Sequence, residues 1–396
     1  AGKAPGQNRI CYEFLKYAPE TFLEKLLILY NRIYETGTVP EDFSASVIYP
    51  LHKKGSLNDP SMYRGLSFMN CDAKLLCSLL LDRLESHVQS FSILKEYQAG
   101  FRKGYSTVDC VSSLSGIAHL VLASGPRRRL CAFFVDFSGA FDGIRRDLLY
   151  GKLHHWGVST RFIAVLRALY GQCSARVWGK SGLSDIIRVG SGVRQGCVLS
   201  PLLFALFVND LEDVLPCGVV VGGQPIRLLM YADDLVILAE TREELQRNID
   251  GLQGYCHEWG LKVNLDKSKV LVFRKGGRLR CDDKWTLDGK NIEIVNFYKY
   301  LGVTLTPKIS FTHHLKDRAS VAKFGVNSMY SPFFANSLVP LASKYEVFKA
   351  VARAVVCYAA QVWGFAYYEV VERAQFYFVK KILGLPSCTP NYVLYC

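Results

Sequence analysis

The spacing of apolar residues divides the chain into a mixed helix-and-strand region and a helical region. Apolar positions recur at helical spacing in two segments between 138 and 170 and over residues 12–35, 72–88, 107–123, 200–214 and 241–259. Other apolar runs predict a hairpin between 175–178 and 186–189, and strands over 47–51, 130–137, 226–231, 235–239, 270–273 and 297–305. After Pro307 helical periodicity continues without strand alternation. The pattern predicts an α/β (α+β) body followed by an all-helical C-terminal part.

One helix start carries a specific capping signal. Thr241 precedes an amphipathic segment, and Glu244 follows three residues later. Side chains in this arrangement satisfy backbone N–H groups that have no partner in the first turn of a helix. We therefore expect the helix to be capped by Thr241.

Composition excludes a disordered chain and favours a polyanionic partner. Of the 396 residues, 50% are hydrophobic, and 48 Lys plus Arg oppose 35 Asp plus Glu, which gives a net charge of +13. Length and apolar content suffice for two or three domains, and the basic excess favours nucleic acid as a partner. Basic clusters at 127–129, 274–280 and 313–323 are candidates for phosphate contacts.

Cysteine spacing and hydropathy argue against a zinc site, disulfide bonds and a membrane span. The 13 cysteines form no C-x-x-C pair and no Cys/His knuckle, so we expect free, buried thiols in a reducing compartment instead of a zinc site or disulfides. The most apolar long segment, 350–368, contains Arg353 and Gln361 and is predicted to be a buried helix, not a membrane span. Four aromatic residues near its end suggest base stacking or, as we favour, core packing: Trp363, Phe365, Tyr367 and Tyr368.

Acidic residues interrupt apolar strands at two places. Asp136 lies near the end of the run 130–137, and Asp233 and Asp234 separate two further runs. A carboxylate at the end of a buried strand is costly unless it is compensated, and a bound cation is the usual compensation. Aspartate oxygens suit Mg²⁺, and two such ions about 4 Å apart catalyse in-line phosphoryl transfer. The alternative is that Asp233-Asp234 is only a turn, because Asp is a favoured turn residue.

Three motifs in a fixed order resemble those of reverse transcriptases. They are FVDFSGAFD at 134–142, SGVRQGCVLSPLLFALFVNDL at 191–211 and YADDLVILA at 231–239. The chain is most similar to the LINE-like, non-LTR retrotransposon enzymes, and the similarity extends to GKAPG at the start, YQAGFRKGYSTVD, NLDKSK and YKYLGVTLT. After GKAPG many relatives have an Asp-Gly pair where this chain has Gln7-Asn8-Arg9, which puts local contacts there in doubt.

The resemblance implies a right-hand polymerase with an antiparallel-sheet palm. Fingers with an N-terminal extension are expected over 1–125, the palm over 126–306, and a helical thumb, complete or truncated, over 307–396. The implied activity is RNA-directed DNA polymerisation, in which a primer 3′-hydroxyl attacks a deoxynucleoside triphosphate. Two Mg²⁺ ions, with Mn²⁺ as an alternative, are the implied cofactors.

The resemblance also implies roles for individual residues. The metal-binding set comprises Asp136, Phe137, Asp233 and Asp234, and its three aspartates are the catalytic residues. The nucleotide-binding set comprises Lys53, Arg64, Arg102, Ser138, Gly139, Ala140, Phe141, Gln195, Gly196 and Lys267. The primer grip comprises Tyr300, Leu301 and Gly302. Within these sets Phe141 would exclude a 2′-hydroxyl and Lys267 would protonate pyrophosphate. Outside them, Asp142 would support the structure.

Five of the nucleotide-binding assignments have a structural alternative. For Phe141 it is core packing, the more usual fate of a phenylalanine, and for Lys267 it is a salt-bridged loop. For the cations at 53, 64 and 102 it is an ordinary solvated surface. Two other functions also stay open: an inactive RNA-binding relic of the fold, and an RNA-dependent RNA polymerase, against which Phe141 argues.

Partners follow from the same resemblance. They are an RNA template, a DNA primer, the RNA/DNA hybrid, dNTPs, and the endonuclease and nucleic-acid-binding modules of a longer retrotransposon polyprotein. A membrane is not expected among the partners. We expect the chain to be a fragment of that polyprotein. The full protein is expected to act in the nucleus by target-primed reverse transcription after cytoplasmic ribonucleoprotein assembly.

Overall fold

A computed structural model describes residue 2 and residues 5–53, 55–180 and 182–395. Part of the GKAPG motif and Lys54 lie outside the described residues. The helices are α1 Tyr12–Lys16, α2 Glu20–Thr36, α3 Glu41–Ser44, α4 Cys71–Ser90, α5 Thr107–Ala123, α6 Arg146–His155, α7 Thr160–Gly171, α8 Ser200–Phe207, α9 Arg242–Trp259, α10 Thr312–Ser328, α11 Leu341–Phe348, α12 Ala354–Val356, α13 Ala360–Trp363 and α14 Glu369–Ile382.

The strands of the described residues form five sheets, two of which have five strands each. They are β1 Ala45–His52, β2 Tyr63–Met69, β3 Arg129–Val135, β4 Ser174–Gly179, β5 Gly182–Leu183, β6 Ile187–Arg188, β7 Val219–Val221, β8 Gln224–Ile226, β9 Leu228–Tyr231, β10 Asp234–Ala239, β11 Lys269–Arg274, β12 Thr286–Leu287, β13 Lys290–Asn291, β14 Ile294–Val295, β15 Tyr298–Tyr300 and β16 Val303–Leu305.

The central sheet has the order β14-β11-β3-β10-β9 and is antiparallel except where β11 meets β14. Its middle strand, β3, is buried on both faces: Phe133 packs in a core with α6 to α9, and Phe134 packs in a second core with α5. Two-sided burial explains why the sequence of this strand is continuously apolar instead of alternating.

A second sheet forms around β1, with β2 antiparallel on one side and β4 parallel on the other. The strand β4 also pairs with β5 and β6, so the hairpin predicted between 175–178 and 186–189 is confirmed. The pairing of β1 with β4 joins segments that lie more than 120 residues apart along the chain.

Several predicted elements are divided in the structure. The helix predicted over 12–35 is two helices, because Pro19 has an extended conformation and sets the start of α2. The helix predicted over 200–214 ends at Phe207 and is followed by a 3₁₀ turn, Leu211–Val214. The run 226–231 is shared between β8, which pairs with β7, and β9 of the central sheet. The run 297–305 is the β15–β16 hairpin.

The C-terminal part is helical, as predicted. Ala322 and Val326 of α10 and Phe378 of α14 share a third core. Core packing is confirmed for Trp363, which is buried, and is wrong for Phe365 and Tyr367, which are exposed. No helix among the described residues has the length and apolarity that crossing a membrane requires.

A buried histidine predicts acid sensitivity. The side chain of His314 is fully buried, and its Nδ1 accepts a hydrogen bond from the Thr304 N–H at 3.3 Å. Its Nε2 has no hydrogen-bond partner among the described residues. Burial, together with nearby cations such as Arg318, lowers the pKa of this imidazole to about 4. As the pH falls below about 6.5, this imidazole becomes protonated in the unfolded chain but stays neutral in the folded chain. Protonation therefore favours the unfolded chain, and the free energy of unfolding decreases.

We expect this histidine to contribute a loss of up to about 2 kcal/mol in the free energy of unfolding between pH 7.5 and pH 5. Urea titrations at both pH values measure it. The variant His314→Gln has no imidazole to protonate, so its stability should change less over this range than that of the wild type. Equal changes in the two proteins would contradict the prediction.

Candidate active site

Strand pairing brings the three aspartates to one end of the central sheet. Val135 at the end of β3 pairs with Leu235, so Asp136 follows on one strand and Asp234 stands opposite it on the next. The β9–β10 hairpin closes on the pair Tyr231 and Asp234, and Asp233 lies in its two-residue turn. Asp233 thus lies in a turn, as the alternative interpretation predicts, whereas Asp234 is the first residue of β10. The turn carries the Asp233 carboxylate to the sheet end beside Asp136.

The turn is held from outside the hairpin by a residue that sequence analysis missed. Gln98 is fully buried, and its Oε1 accepts hydrogen bonds from the Ala232 N–H at 3.1 Å and from the Gly100 N–H at 2.9 Å. Its Nε2 donates to the Ala232 carbonyl at 3.4 Å. The glycine at 100 is required for this approach, because a Cβ there would lie 2.1 Å from the Ala232 nitrogen.

The conformation of the turn explains why such support is needed. Ala232 has a φ of 58°, in the left-handed region, which costs a residue with a side chain roughly 1–2 kcal/mol. The backbone on either side of Gln98 also pairs with Met230 of β9, through the Ala99 N–H at 2.8 Å and the Tyr97 carbonyl at 2.8 Å. Side-chain and backbone hydrogen bonds together fix the residue that precedes Asp233.

The carboxylates repel one another. Burial and the neighbouring charges of Asp233 and Asp136 raise the pKa of Asp234 to about 6. Burial also raises the pKa of Asp233, as does the charge of Asp136, while Arg64 and Lys267 oppose the shift. The sheet end is therefore a place where negative charge is undercompensated, and a bound cation would relieve the repulsion.

The donor set suits a hard divalent cation. It consists of carboxylate oxygens, and among the described residues no three His, Cys, Asp or Glu side chains are already arranged as a closed metal site. Mg²⁺ fits this situation, because it usually keeps water and takes further oxygens from substrate phosphates. Phe137 has a buried, apolar side chain, so any contribution it makes to a metal is limited to its backbone carbonyl.

Cations from two distant segments act on this acidic cluster, and a third cation, Lys53, acts on Asp142. Lys267 Nζ lies 3.4 Å from Asp136 Oδ2. Arg64 on β2 lowers the pKa of Asp233, and Lys53 lowers that of Asp142, in each case against a larger effect of burial. Arg102 is occupied elsewhere, since its guanidinium donates to the carbonyls of residues 95 and 98 and pairs with Glu96.

The residues after β3 meet those around Gln195. Ser138 and Gly139 are exposed in the turn that follows the strand, and Ala140 is buried. Phe141 is half-buried, and its ring stacks on Phe204 with centroids 4.8 Å apart. Core packing thus accounts for one face of this ring, and its role toward a sugar stays a prediction.

Gln195 and Gly196 are fixed by two different contacts. Gln195 Nε2 donates to Asp142 Oδ2 at 2.8 Å, which gives Asp142 the supporting role expected of it. The Ser67 N–H of β2 donates to the Gln195 carbonyl at 3.2 Å. Gly196 has a φ of 101°, and a Cβ there would lie 2.8 Å from the Ser67 carbonyl oxygen, so its close approach is to β2.

The predicted primer-grip residues form the tip of the β15–β16 hairpin. Leu301 and Gly302 both have positive φ, and the Leu301 carbonyl accepts a hydrogen bond from the Tyr358 hydroxyl at 2.8 Å. Tyr300 is buried against Phe134, so only the turn is available to a substrate. The hairpin packs near the acidic cluster, since the Tyr298 ring stacks on Phe134, two residues before Asp136, with centroids 4.1 Å apart. Burial, with the charges of Asp234 and Asp136, raises the pKa of Tyr298 to about 12.

Comparison with known proteins agrees with this geometry. The chain is 28% identical over 407 residues to a probable RNA-directed DNA polymerase from transposon BS of Drosophila melanogaster, with 99% of this chain and 43% of the relative covered. It is 24% identical to the RNA-directed DNA polymerase from mobile element jockey of the same species, with 92% and 40% covered. The chain thus spans less than half the length of these relatives.

The fold comparison points the same way. The structure of apo telomerase from Candida tropicalis superposes with a TM-score of 0.51 at 13% identity, over 92% of this chain and 67% of that one. This likeness concerns the fold alone and agrees with the right-hand polymerase architecture, which is confirmed.

The family comparison covers the site itself. The family described as reverse transcriptase (RNA-dependent DNA polymerase) matches residues 51–305, which include the three aspartates, Gln195 and the β15–β16 hairpin. The resemblance to the non-LTR enzymes is likewise confirmed by the relatives. Membership implies dependence on divalent metal ions and a nucleic-acid template and primer. The chain belongs to the reverse transcriptase family.

Proposed function

We propose that this chain is the RNA-directed DNA polymerase portion of a longer non-LTR retrotransposon protein. The observation that carries the proposal is the meeting of Asp136, Asp233 and Asp234 at one end of the central sheet, with Arg64 and Lys267 close enough to oppose their repulsion. Carboxylates for metal ions beside cations for phosphates are the parts that phosphoryl transfer needs.

In this mechanism the three aspartates would hold two Mg²⁺ ions. When bound, the ions activate the primer 3′-hydroxyl and stabilise the leaving oxygen. We assign Lys53 and Arg64 to the triphosphate, and Gln195, oriented by Asp142, to the incoming nucleotide and template. Lys267 would donate a proton to pyrophosphate, which its 3.4 Å distance from Asp136 supports.

We assign the fingers to residues 1–125, the palm to 126–306 and the thumb to 307–396. Two elements cross the first of these boundaries in space. The helix α5 packs on the central sheet, and β4 pairs with β1 of the second sheet. The boundary at residue 125 therefore separates fingers and palm along the sequence, while in space elements from both sides of it pack together.

For the whole protein we propose target-primed reverse transcription in the nucleus, following cytoplasmic ribonucleoprotein assembly. An endonuclease that nicks the target and further nucleic-acid-binding modules would lie in the remainder of the polyprotein. The relatives, of which this chain covers 43% and 40%, support this by their greater length.

Primer extension on an RNA template with a DNA primer tests the activity. We expect deoxynucleotides to be incorporated in Mg²⁺, and ribonucleotides to be incorporated far less. The full-length protein is assayed beside the chain. If both proteins bind the hybrid and neither extends the primer, the chain is an inactive relic. Equal use of ribonucleotides with strong extension would favour an RNA polymerase.

Truncating Phe141 tests the sugar selection. We expect Phe141→Ala to lower the preference for deoxynucleotides by about 100-fold, because a rigid apolar wall against the 2′-hydroxyl is lost. Competition between dNTP and rNTP in single-nucleotide extension measures the change. The control is Phe204→Leu, which removes the same ring stacking from the buried side. If both variants lose thermal stability and neither loses selectivity, Phe141 only packs.

A further inference from the structure

Two basic segments that are separate in sequence meet across one cleft. It has a volume of 560 Å³ and lies between the residues after β11, those before β15 and the start of α10. The basic side chains that line it are those of Arg274, Lys308 and Lys316, and the imidazole of His313 lies beside them. None of the described residues that line the cleft is an Asp or Glu. The cleft therefore concentrates positive charge that its own walls do not neutralise.

The nearest carboxylates along the chain are already paired. Asp317 follows Lys316 directly, and its carboxylate accepts a hydrogen bond from Arg318 at 2.5 Å. Glu293 lies 2.8 Å from Lys269. Neither ion pair uses a cation of the cleft, and no ion pair between described residues involves Lys308 or Lys316, so both lysines are available to an anionic ligand.

An exposed aromatic ring completes the cleft. Phe297 is 54% exposed, and its ring lies 4.6 Å from that of His313, at an angle of 35° between the planes. A large apolar ring that stays open to solvent among cations is suited to stack on a nucleic-acid base, and the cations suit the phosphates on either side. Only an unpaired base presents its face to such a ring, so a single strand fits better than a duplex.

The cleft is remote from the acidic cluster. Arg274 at the end of β11 pairs with Arg129 at the start of β3, and Asp136 lies beyond the other end of that strand. At about 3.3 Å per residue the separation along β3 is about 20 Å. A strand bound here is therefore not the nucleotide or primer end at the three aspartates.

We propose that this cleft binds a single-stranded nucleic-acid segment, with phosphates on Arg274, Lys308 and Lys316 and one base on Phe297. The site goes beyond the proposed polymerase function, because binding here requires no chemistry at the aspartates. Its expected role is to retain RNA or DNA outside the central site during synthesis.

Fluorescence anisotropy with labelled single-stranded RNA, single-stranded DNA and duplex, each at several salt concentrations, tests the proposal. We expect Phe297→Ala to weaken single-strand binding about tenfold with an unchanged salt dependence. The double variant Lys308→Gln/Lys316→Gln should weaken binding and make the slope of log K against log salt shallower by about 1.4. The RNA and DNA arms show which strand is preferred.

Phe91→Ala is the matched control. Phe91 is 71% exposed and its ring lies 4.9 Å from that of His87, so it repeats the ring-on-histidine arrangement away from the cleft. Unchanged single-strand binding by the three cleft substitutions, or an equal loss from Phe91→Ala, would overturn the proposal, as would an equal loss for duplex. Extension of a short primer–template is measured in parallel, so failure of this site is distinguishable from failure of the polymerase.

Discussion

Replacing Asp233 with asparagine is expected to lower primer extension at least about 100-fold and to leave the fold as stable as before, or more stable. Activity falls because a carboxylate oxygen that would hold a metal ion becomes a neutral amide. Stability does not fall, because burial and the charge of Asp136 already disfavour the ionised form of this residue in the folded chain. Asparagine also keeps the preference for the turn.

The two readouts separate a catalytic aspartate from a turn aspartate. Extension rates and thermal unfolding are measured on the same preparations, in Mg²⁺ and in its absence. Asp266→Asn serves as the control, since Asp266 is an exposed carboxylate in the loop that carries Lys267. Near-normal extension by Asp233→Asn would remove this residue from the mechanism, and a large loss by Asp266→Asn would show that the effect is not specific.

Replacing Gln98 with leucine is expected to slow extension by about 10- to 100-fold, although this side chain touches no substrate in the proposed mechanism. Leucine leaves the N–H groups of Ala232 and Gly100 without their buried acceptor, at about 1–3 kcal/mol for each. The left-handed Ala232 is then free to relax, and Asp233 moves with it. Losses of this size are typical when a group that orients a metal ligand is removed.

If Gln98 acts by positioning Asp233, its substitution should also change how the rate depends on metal concentration. Because Asp233 would be displaced and not lost, a higher concentration of Mg²⁺ or Mn²⁺ should restore part of the rate to Gln98→Leu and none to Asp233→Asn. Asn248→Leu is the matched control: Asn248 is also fully buried and bonds both the N–H and the carbonyl of Cys217, at 3.0 and 2.9 Å. It should lose stability but keep its rate per folded molecule. Equal behaviour of the two leucine variants would reduce Gln98 to a structural residue.

Local signals were enough to predict much of the fold. The helix predicted over 107–123 has those bounds in α5, and the capping box at Thr241 and Glu244 is present. The buried strand predicted over 130–137 is β3, which begins one residue earlier and ends two residues earlier. These elements are determined by the periodicity and capping of their own residues, so tertiary contacts had little to change.

Contacts between distant segments limited the prediction of the site. The aspartates were recognisable because they interrupt apolar strands, but the role of Gln98 depends on a contact with a residue 134 positions away. Gly196 was predicted to approach a nucleotide, whereas the backbone it meets in the structure is that of Ser67. No local pattern of residues encodes either contact, since each arises only when the sheets are assembled.

The attachment of Gln195 to β2 has a mechanical consequence. The Gln195 carbonyl accepts a hydrogen bond from the Ser67 N–H, and the adjacent Gly196 packs directly against the same residue. The strand β1 pairs with β2 on one side and with β4 on the other. If the second sheet tilts, Gln195 should therefore move with it as part of the same rigid unit. Closure of the second sheet over an incoming nucleotide and alignment of Gln195 would then be one coupled movement, and neither could change without the other.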